Sequence, residues 1–166
     1  MASDLPREGR GLAPRSIHVI CFGNELHGDD GLGPAVHALL SQAPLPEGVR
    51  LMRADVAGLS AIACFENCDR VIIVDALRGH GPAGTLHQLD ALPLAEAAAR
   101  DEAPAGFHGA GVGALLSLLP VTLDALPRMV LLGVEILAIR PFRPGLSAPV
   151  EARVGDTARR VLSLLS

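Results

Sequence analysis

The chain has 166 residues, enough for one domain with a sizeable hydrophobic core. Its 14 basic and 18 acidic residues give a net charge of −4, which excludes a basic nucleic-acid-binding surface. The apolar run at residues 130–139 contains Glu135 and is too short to span a bilayer, so we expect no membrane insertion. A hydrophobic fraction of 49% with only 2% aromatic residues is typical of close helix-on-sheet packing.

The cysteines and the first residues predict a reduced, cytoplasmic setting. There are three cysteines, an odd number, and residues 1–15 are rich in Gly, Pro and Arg rather than apolar like a signal peptide. We expect residues 1–15 to form a mobile leader. Cys64 and Cys68 are four residues apart, which predicts one face of a helix, and core packing is favoured over zinc binding there.

Strands and helices alternate along the first half of the chain. A β-branched stretch predicts the first strand, a glycine-rich loop follows, and apolar residues then recur at helical spacing as far as Ser41. The elements predicted here are a strand at 17–22, a helix starting near Leu32, a strand at 49–52, a helix at 59–66 and a strand at 71–74 that ends in Asp75.

The second half continues the same alternation. The predicted elements are a strand at 84–89, a helix at 94–100, a loop at 103–113 with His108, a helix at 113–119, a strand at 129–135 and a helix at 150–165. This order predicts an α/β fold with three layers, in which a twisted, mostly parallel sheet of about five strands carries helices on both faces. Residues 16–166 are expected to form this single domain.

The loop at residues 23–33 is the first candidate functional segment. It contains four glycines, three carboxylates and a histidine, and no Lys or Arg occurs between residues 16 and 49. A phosphate-binding loop would carry the opposite charge, so this loop favours a cation or proton transfer. Ligands of parallel sheets bind at the carboxyl ends of the strands, so we expect Asp30 and Asp75 to face each other.

Several of these polar residues also have a structural interpretation. Asp29 is expected to cap the first helix, and Asn24 is expected to form a turn with its own backbone or to orient a peptide. Asp75 could cap a turn or pair with Arg78. Glu135, at the end of a buried strand, is expected to anchor a loop by hydrogen bonding rather than to act in catalysis.

Several motifs in order resemble a known family. They are the run G-N-x-L-x-x-D-D-G-x-G at residues 23–33, the strand at 71–76, His108 ahead of a helix, Leu-Gly-Val-Glu at 132–135 and Gly-Leu-Ser-Ala-Pro-Val at 145–150. Together they span residues 17–166 and resemble the [NiFe] hydrogenase maturation endopeptidases.

The resemblance implies an endopeptidase that removes the C-terminal peptide of a [NiFe] hydrogenase large-subunit precursor after nickel insertion. The family's metal-contacting and catalytic residues map onto Asp30, Asp75 and His108. Two carboxylates and an imidazole suit Ni²⁺, with Zn²⁺ or Cd²⁺ as substitutes, and the nickel could be resident or arrive with the precursor. Nickel would then serve both recognition and activation, so a nickel-free precursor should not be cut.

The chain departs from the family at one turn. The family carries an Asp-Gly-Gly turn after its second strand that grips the substrate, and residues 53–58 here read Arg-Ala-Asp-Val-Ala-Gly. We expect Asp55 to take over this role and Asn24 to contact the peptide as well. The resemblance implies the precursor as partner and a monomer, without indicating which hydrogenase is processed.

Three other functions are alternatives to the endopeptidase. A binding protein that checks nickel loading without cutting would use the same three ligands, and only activity separates the two. A nucleotide-binding enzyme would need the motif G-x-G-x-x-G and an acidic residue at the end of the second strand, and this sequence matches neither requirement well. A cysteine protease is disfavoured because no histidine lies at a spacing from a cysteine that would indicate a catalytic pair.

Overall fold

A computed structural model describes residues 16–54, 59–99 and 112–166, without the side chains of residues 59 and 97–99. The predictions made for the leader at 1–15, for Asp55 and for His108 lie outside these described residues.

In the described residues, strands and helices alternate as predicted. The α-helices and strands are β1 (Ile17–Phe22), α1 (Leu32–Leu40), β2 (Val49–Ala54), β3 (Arg70–Leu77), β4 (Leu86–Asp90), α2 (Ala91–Ala99), α3 (Val112–Thr122), β5 (Arg128–Glu135) and α4 (Ala148–Leu165). Two 3-10 segments precede α1 and β3, at Asp29–Gly31 and Leu59–Phe65.

The five strands form one sheet in the order β2-β1-β3-β5-β4. Neighbouring strands are parallel except β4, which runs antiparallel to β5. This arrangement confirms the predicted mostly parallel five-stranded sheet. From β1 the chain moves first to β2 on one side and then to β3 on the other, so the strand order reverses between β1 and β3. Such a reversal opens a crevice at the carboxyl ends of the two strands, where α/β proteins bind ligands.

Alternate residues of the central strands face two separate hydrophobic cores. Val71 and Ile73 of β3 pack on one face of the sheet with α2 and α3, whereas Ile72 and Val74 pack on the other face with α1 and α4. All four side chains are fully buried. Helices therefore cover both faces, which confirms the three-layer prediction and explains why β3 is an unbroken β-branched run.

A close approach between α1 and β1 depends on Gly33. A Cβ atom at this position would collide with the backbone carbonyl of Phe22. The missing side chain lets the first turn of α1 lie directly against the end of β1, which places the loop between them over the carboxyl edge of the sheet.

The predicted helix at 59–66 is wrong in type, because residues Leu59–Phe65 form a 3-10 helix. Cys68 lies beyond its end, so Cys64 and Cys68 do not share one helix face. Both cysteines still pack against the hydrophobic core beside α2 and α3, and the Cys68 thiol donates to the Phe65 carbonyl oxygen at 3.4 Å. The core-packing interpretation of this pair is therefore confirmed.

None of the helices in the part of the chain that the structure describes is long and apolar enough to cross a membrane.

Candidate active site at the carboxyl edge of the sheet

The loop after β1 folds back on itself around Asp30. Gly23 has a φ of 131°, and a Cβ atom there would collide with the Asp30 carbonyl oxygen. The backbone N–H of Asn24 donates to Asp30 Oδ2 at 2.8 Å, while Asn24 Oδ1 accepts from the backbone N–H of Leu26 at 2.9 Å. The predicted turn at Asn24 is confirmed, and the same residue also orients the Asp30 carboxylate.

Asp29 does not cap α1, contrary to the sequence prediction. The N-cap of α1 is Gly31, which has no side-chain capping bond. The carboxylate of Asp29 is 1% exposed and accepts from both the backbone N–H and the hydroxyl of Ser147, at 2.6 and 2.9 Å. Because Asp29 begins the 3-10 turn that precedes α1, its side chain lies away from the first turn of α1, reaches Ser147 at the start of α4 and ties the loop to that helix.

Asp75 lies within β3 rather than at its end, because the strand continues to Leu77. Burial raises the pKa of Asp75 to about 7, the N–H of Ala76 opposes this shift, and the negative charge of Asp30 adds to it. The 3-10 turn that carries Asp30 also contacts β3, so the two residues lie in the same part of the carboxyl edge.

Two carboxylates without a compensating cation are unfavourable when both are ionised. A divalent cation between Asp30 and Asp75 would remove the repulsion and restore the ionised form of Asp75, so the two residues fit a hard or borderline metal. Within residues 16–54, 59–99 and 112–166, no three His, Cys, Asp or Glu side chains are grouped to hold a metal. Of the three predicted ligands, Asp30 and Asp75 are among the described residues and His108 lies outside them.

A second polar cluster, which was not predicted from the sequence, lies on β4 and β5. Glu135 is 1% exposed and accepts from the backbone N–H of His80 at 2.8 Å, which confirms that it anchors a loop. Its other oxygen lies 3.7 Å from His87 Nε2, and neither of these atoms has a hydrogen-bond partner among the described residues. His87 and Asp75 are both registered with Gly133, so the cluster adjoins the site. Alternation along β4 and β5 could have indicated their shared face, but the strand pairing could not be predicted.

The cysteines are poor nucleophiles. Burial raises the pKa of Cys21 to about 12 and, together with the charge of Asp69, raises the pKa of Cys68 to about 11. Burial also raises the pKa of Cys64. All three are neutral thiols at pH 7, which agrees with the sequence-based argument against a cysteine protease.

Known proteins are similar to this chain in sequence and in fold. A family model described as hydrogenase maturation protease matches residues 34–164. The hydrogenase expression/formation proteins HupM of Azotobacter chroococcum and HoxM of Azotobacter vinelandii are each 29% identical over 155 residues, which cover 91% of this chain and 72% of each relative.

Two solved structures show the same likeness. The hydrogenase maturating endopeptidase HybD of E. coli has a TM-score of 0.74 and 27% identity, with 90% of this chain and 91% of that chain covered. A hydrogenase 2 maturation peptidase from a Thaumarchaeota archaeon has a TM-score of 0.66 and 30% identity, with 92% and 99% covered. These matches agree with the motifs at the carboxyl edge of the sheet, and the chain belongs to the hydrogenase maturation protease family.

Proposed function

We propose that this protein removes the C-terminal peptide of a [NiFe] hydrogenase large-subunit precursor after nickel has been inserted, and that Asp30, Asp75 and His108 contact the nickel. The observation that carries the proposal is that Asp30 and Asp75 lie at the same edge of the sheet, where the strand order reverses, in a chain of the maturation protease family.

The two aspartates are suited to different parts of metal recognition. Asp30 is oriented in advance by the Asn24 N–H, so binding requires little rearrangement of this carboxylate. Asp75, with a pKa of about 7, gives up its proton when a cation arrives. His108 would complete the set with an imidazole. Nickel held there, or Zn²⁺ or Cd²⁺ in its place, would fix the precursor and polarise the scissile carbonyl or a water molecule.

Asn24 and Asp55 are proposed to hold the precursor peptide. The Asn24 side chain is fixed through its Oδ1 atom by the Leu26 N–H, which leaves the Nδ2 group to donate to a peptide carbonyl. Asp55 follows β2, whose carboxyl end lies at the same edge of the sheet as the ends of β1 and β3. The peptide would then cross this edge beside the metal ligands.

The test compares Asp30→Asn and Asp75→Asn with a matched control, Asp124→Asn, whose carboxylate is exposed between α3 and β5. Each protein is incubated with nickel-loaded precursor, and the precursor is followed by intact mass. Both site variants should lose at least about 100-fold in cleavage rate and should bind nickel more weakly by calorimetry. The reason is that asparagine keeps the shape of the aspartate side chain but removes the charged carboxylate that would bind the metal. The control should match the wild type.

Three outcomes distinguish the alternatives. Processing that survives unchanged in both site variants would contradict the assignment of the metal to these carboxylates. A stable complex between the wild-type protein and nickel-loaded precursor, without any change in precursor mass, would instead identify a binding protein that checks nickel loading. Cleavage by the wild type with loss in both site variants supports the proposal.

A further inference from the structure

An exposed apolar surface adjoins the loop that carries Asp30. Its members are large hydrophobic side chains with high solvent exposure, namely Leu26 (51%), Leu137 (70%), Ile139 (44%) and Phe142 (83%). The two chain segments that supply them are in contact, since the rings of His27 and Phe142 pack edge to face with centroids 5.6 Å apart. We call these four residues the docking surface. Adjacent exposed hydrophobic residues of this size typically mark an interaction site.

The docking surface is fixed to the candidate active site by backbone contacts. Gly28 forms an isolated antiparallel bridge with Ile139, and the N–H of Arg140 donates to the His27 carbonyl oxygen at 3.2 Å. The buried carboxylate of Asp29 holds the start of α4, just beyond this segment. A partner seated on the docking surface would therefore be held at a defined position relative to the next residue of the loop, Asp30.

Phe142 is held outward at an energetic cost. Its φ is 56°, in the left-handed region that side-chain-bearing residues rarely adopt, and the residue is 83% exposed. Both features oppose the stability of the free protein, because the backbone is strained and the ring is left in water. Strain of this kind occurs preferentially where a partner or ligand is engaged.

We propose that the docking surface binds the folded body of the precursor, at a patch that is apolar in the centre and acidic at the rim. This inference rests on the proposed function and adds a contact with a part of the precursor other than the cleaved peptide. Arg140 and Arg143, both exposed, flank Phe142 and supply the charge complementary to an acidic rim. Aromatic and arginine side chains together are the usual energetic centre of a protein interface.

The experiment measures KM and kcat separately, with nickel-loaded precursor and the full-length protein. Phe142→Asn removes the ring while placing a residue that tolerates positive φ, so the fold should be kept. The matched control is Val121→Ser, which removes a hydrophobic residue of 75% exposure near the end of α3. Phe142→Asn should raise KM about tenfold with kcat unchanged, whereas the control should leave both parameters unaltered.

Charge reversal provides a second variant. The double change Arg140→Glu and Arg143→Glu should lower kcat/KM, and the loss should be larger at low ionic strength because the attraction is screened by salt. Circular dichroism should show unchanged melting temperatures, since both arginine side chains are exposed.

The outcomes separate this inference from the function on which it rests. If the wild type cleaves the precursor and Phe142→Asn has an unchanged KM, the docking surface is refuted while the proposed function stands. Failure of the wild type to cleave any nickel-loaded precursor overturns both. A wild type that sediments as a dimer, with Phe142→Asn as a monomer, would assign the surface to a second copy of the chain and overturn the inference.

Discussion

Replacement of Asp75 by asparagine should make the metal-free protein more stable, and increasingly so as the pH rises. In the folded chain the pKa of this carboxyl is about 7, against an ordinary value of 3.8. Between these values the unfolded chain has lost a proton that the folded chain keeps. Stability conferred by the wild-type residue is therefore highest at low pH and falls as the pH approaches 7, since deprotonation favours the unfolded state.

The size of this stability change follows from the pH range between the two pKa values of Asp75. One proton difference changes the free energy of unfolding by about 1.4 kcal/mol per pH unit, so the range from about pH 5 to 7 gives at most about 3 kcal/mol. Because Asp75 is partly accessible to solvent, we expect about 2 kcal/mol. The asparagine side chain of the variant cannot ionise, and all other titrating groups are common to both proteins, so the difference between the two proteins isolates Asp75.

Urea denaturation in the presence of a chelator, at pH 5, 6, 7 and 8, measures this difference. The stability advantage of Asp75→Asn should grow by about 2 kcal/mol between pH 5 and 7 and level off above pH 7. Asp124→Asn should show no such trend. An advantage that is constant with pH, or that shrinks as the pH rises, would show that the pKa of the partly buried Asp75 carboxyl is not raised in the folded chain.

The remaining predictions concern the loop, the helix packing and the metal. Asp29→Ala should lower the free energy of unfolding by about 2–3 kcal/mol by stranding the N–H of Ser147, and unchanged urea denaturation would contradict this role. Gly33→Ala should destabilise the protein by more than about 3 kcal/mol, whereas Gly155→Ala in α4 should be neutral or stabilising by up to about 1 kcal/mol; equal melting temperatures would contradict the packing. Calorimetric nickel binding should weaken by up to about tenfold per pH unit below 7, because Asp75 must lose its proton, and a pH-independent affinity would argue against Asp75 as a ligand.

Local patterns made much of the architecture predictable. The run at residues 71–74 is buried on both faces, and such strands contain continuous β-branched residues. The apolar spacing of α4 matches its buried stripe of Val150, Ala158, Val161 and Leu165. The type of helix was harder to predict where the apolar pattern was short, as at Leu59–Phe65. A 3-10 turn and one turn of α-helix bury similar positions.

The position of Asp30 and Asp75 at the same edge of the sheet was predictable because it depends on a general property of parallel sheets. The partner of Asp29 was not, since Ser147 lies 118 residues further along the chain and local propensity favoured a helix cap. The approach of His87 to Glu135 likewise requires the antiparallel pairing of β4 with β5, which the alternating pattern does not encode.

In the proposed function, nickel held near Asp30 and Asp75 is required for cleavage of a hydrogenase precursor. The most direct measurement is the intact mass of a large-subunit precursor after incubation with this protein, with and without prior nickel loading. We expect a C-terminal peptide to be lost from the nickel-loaded precursor alone. Equal cleavage of the nickel-free precursor would contradict it.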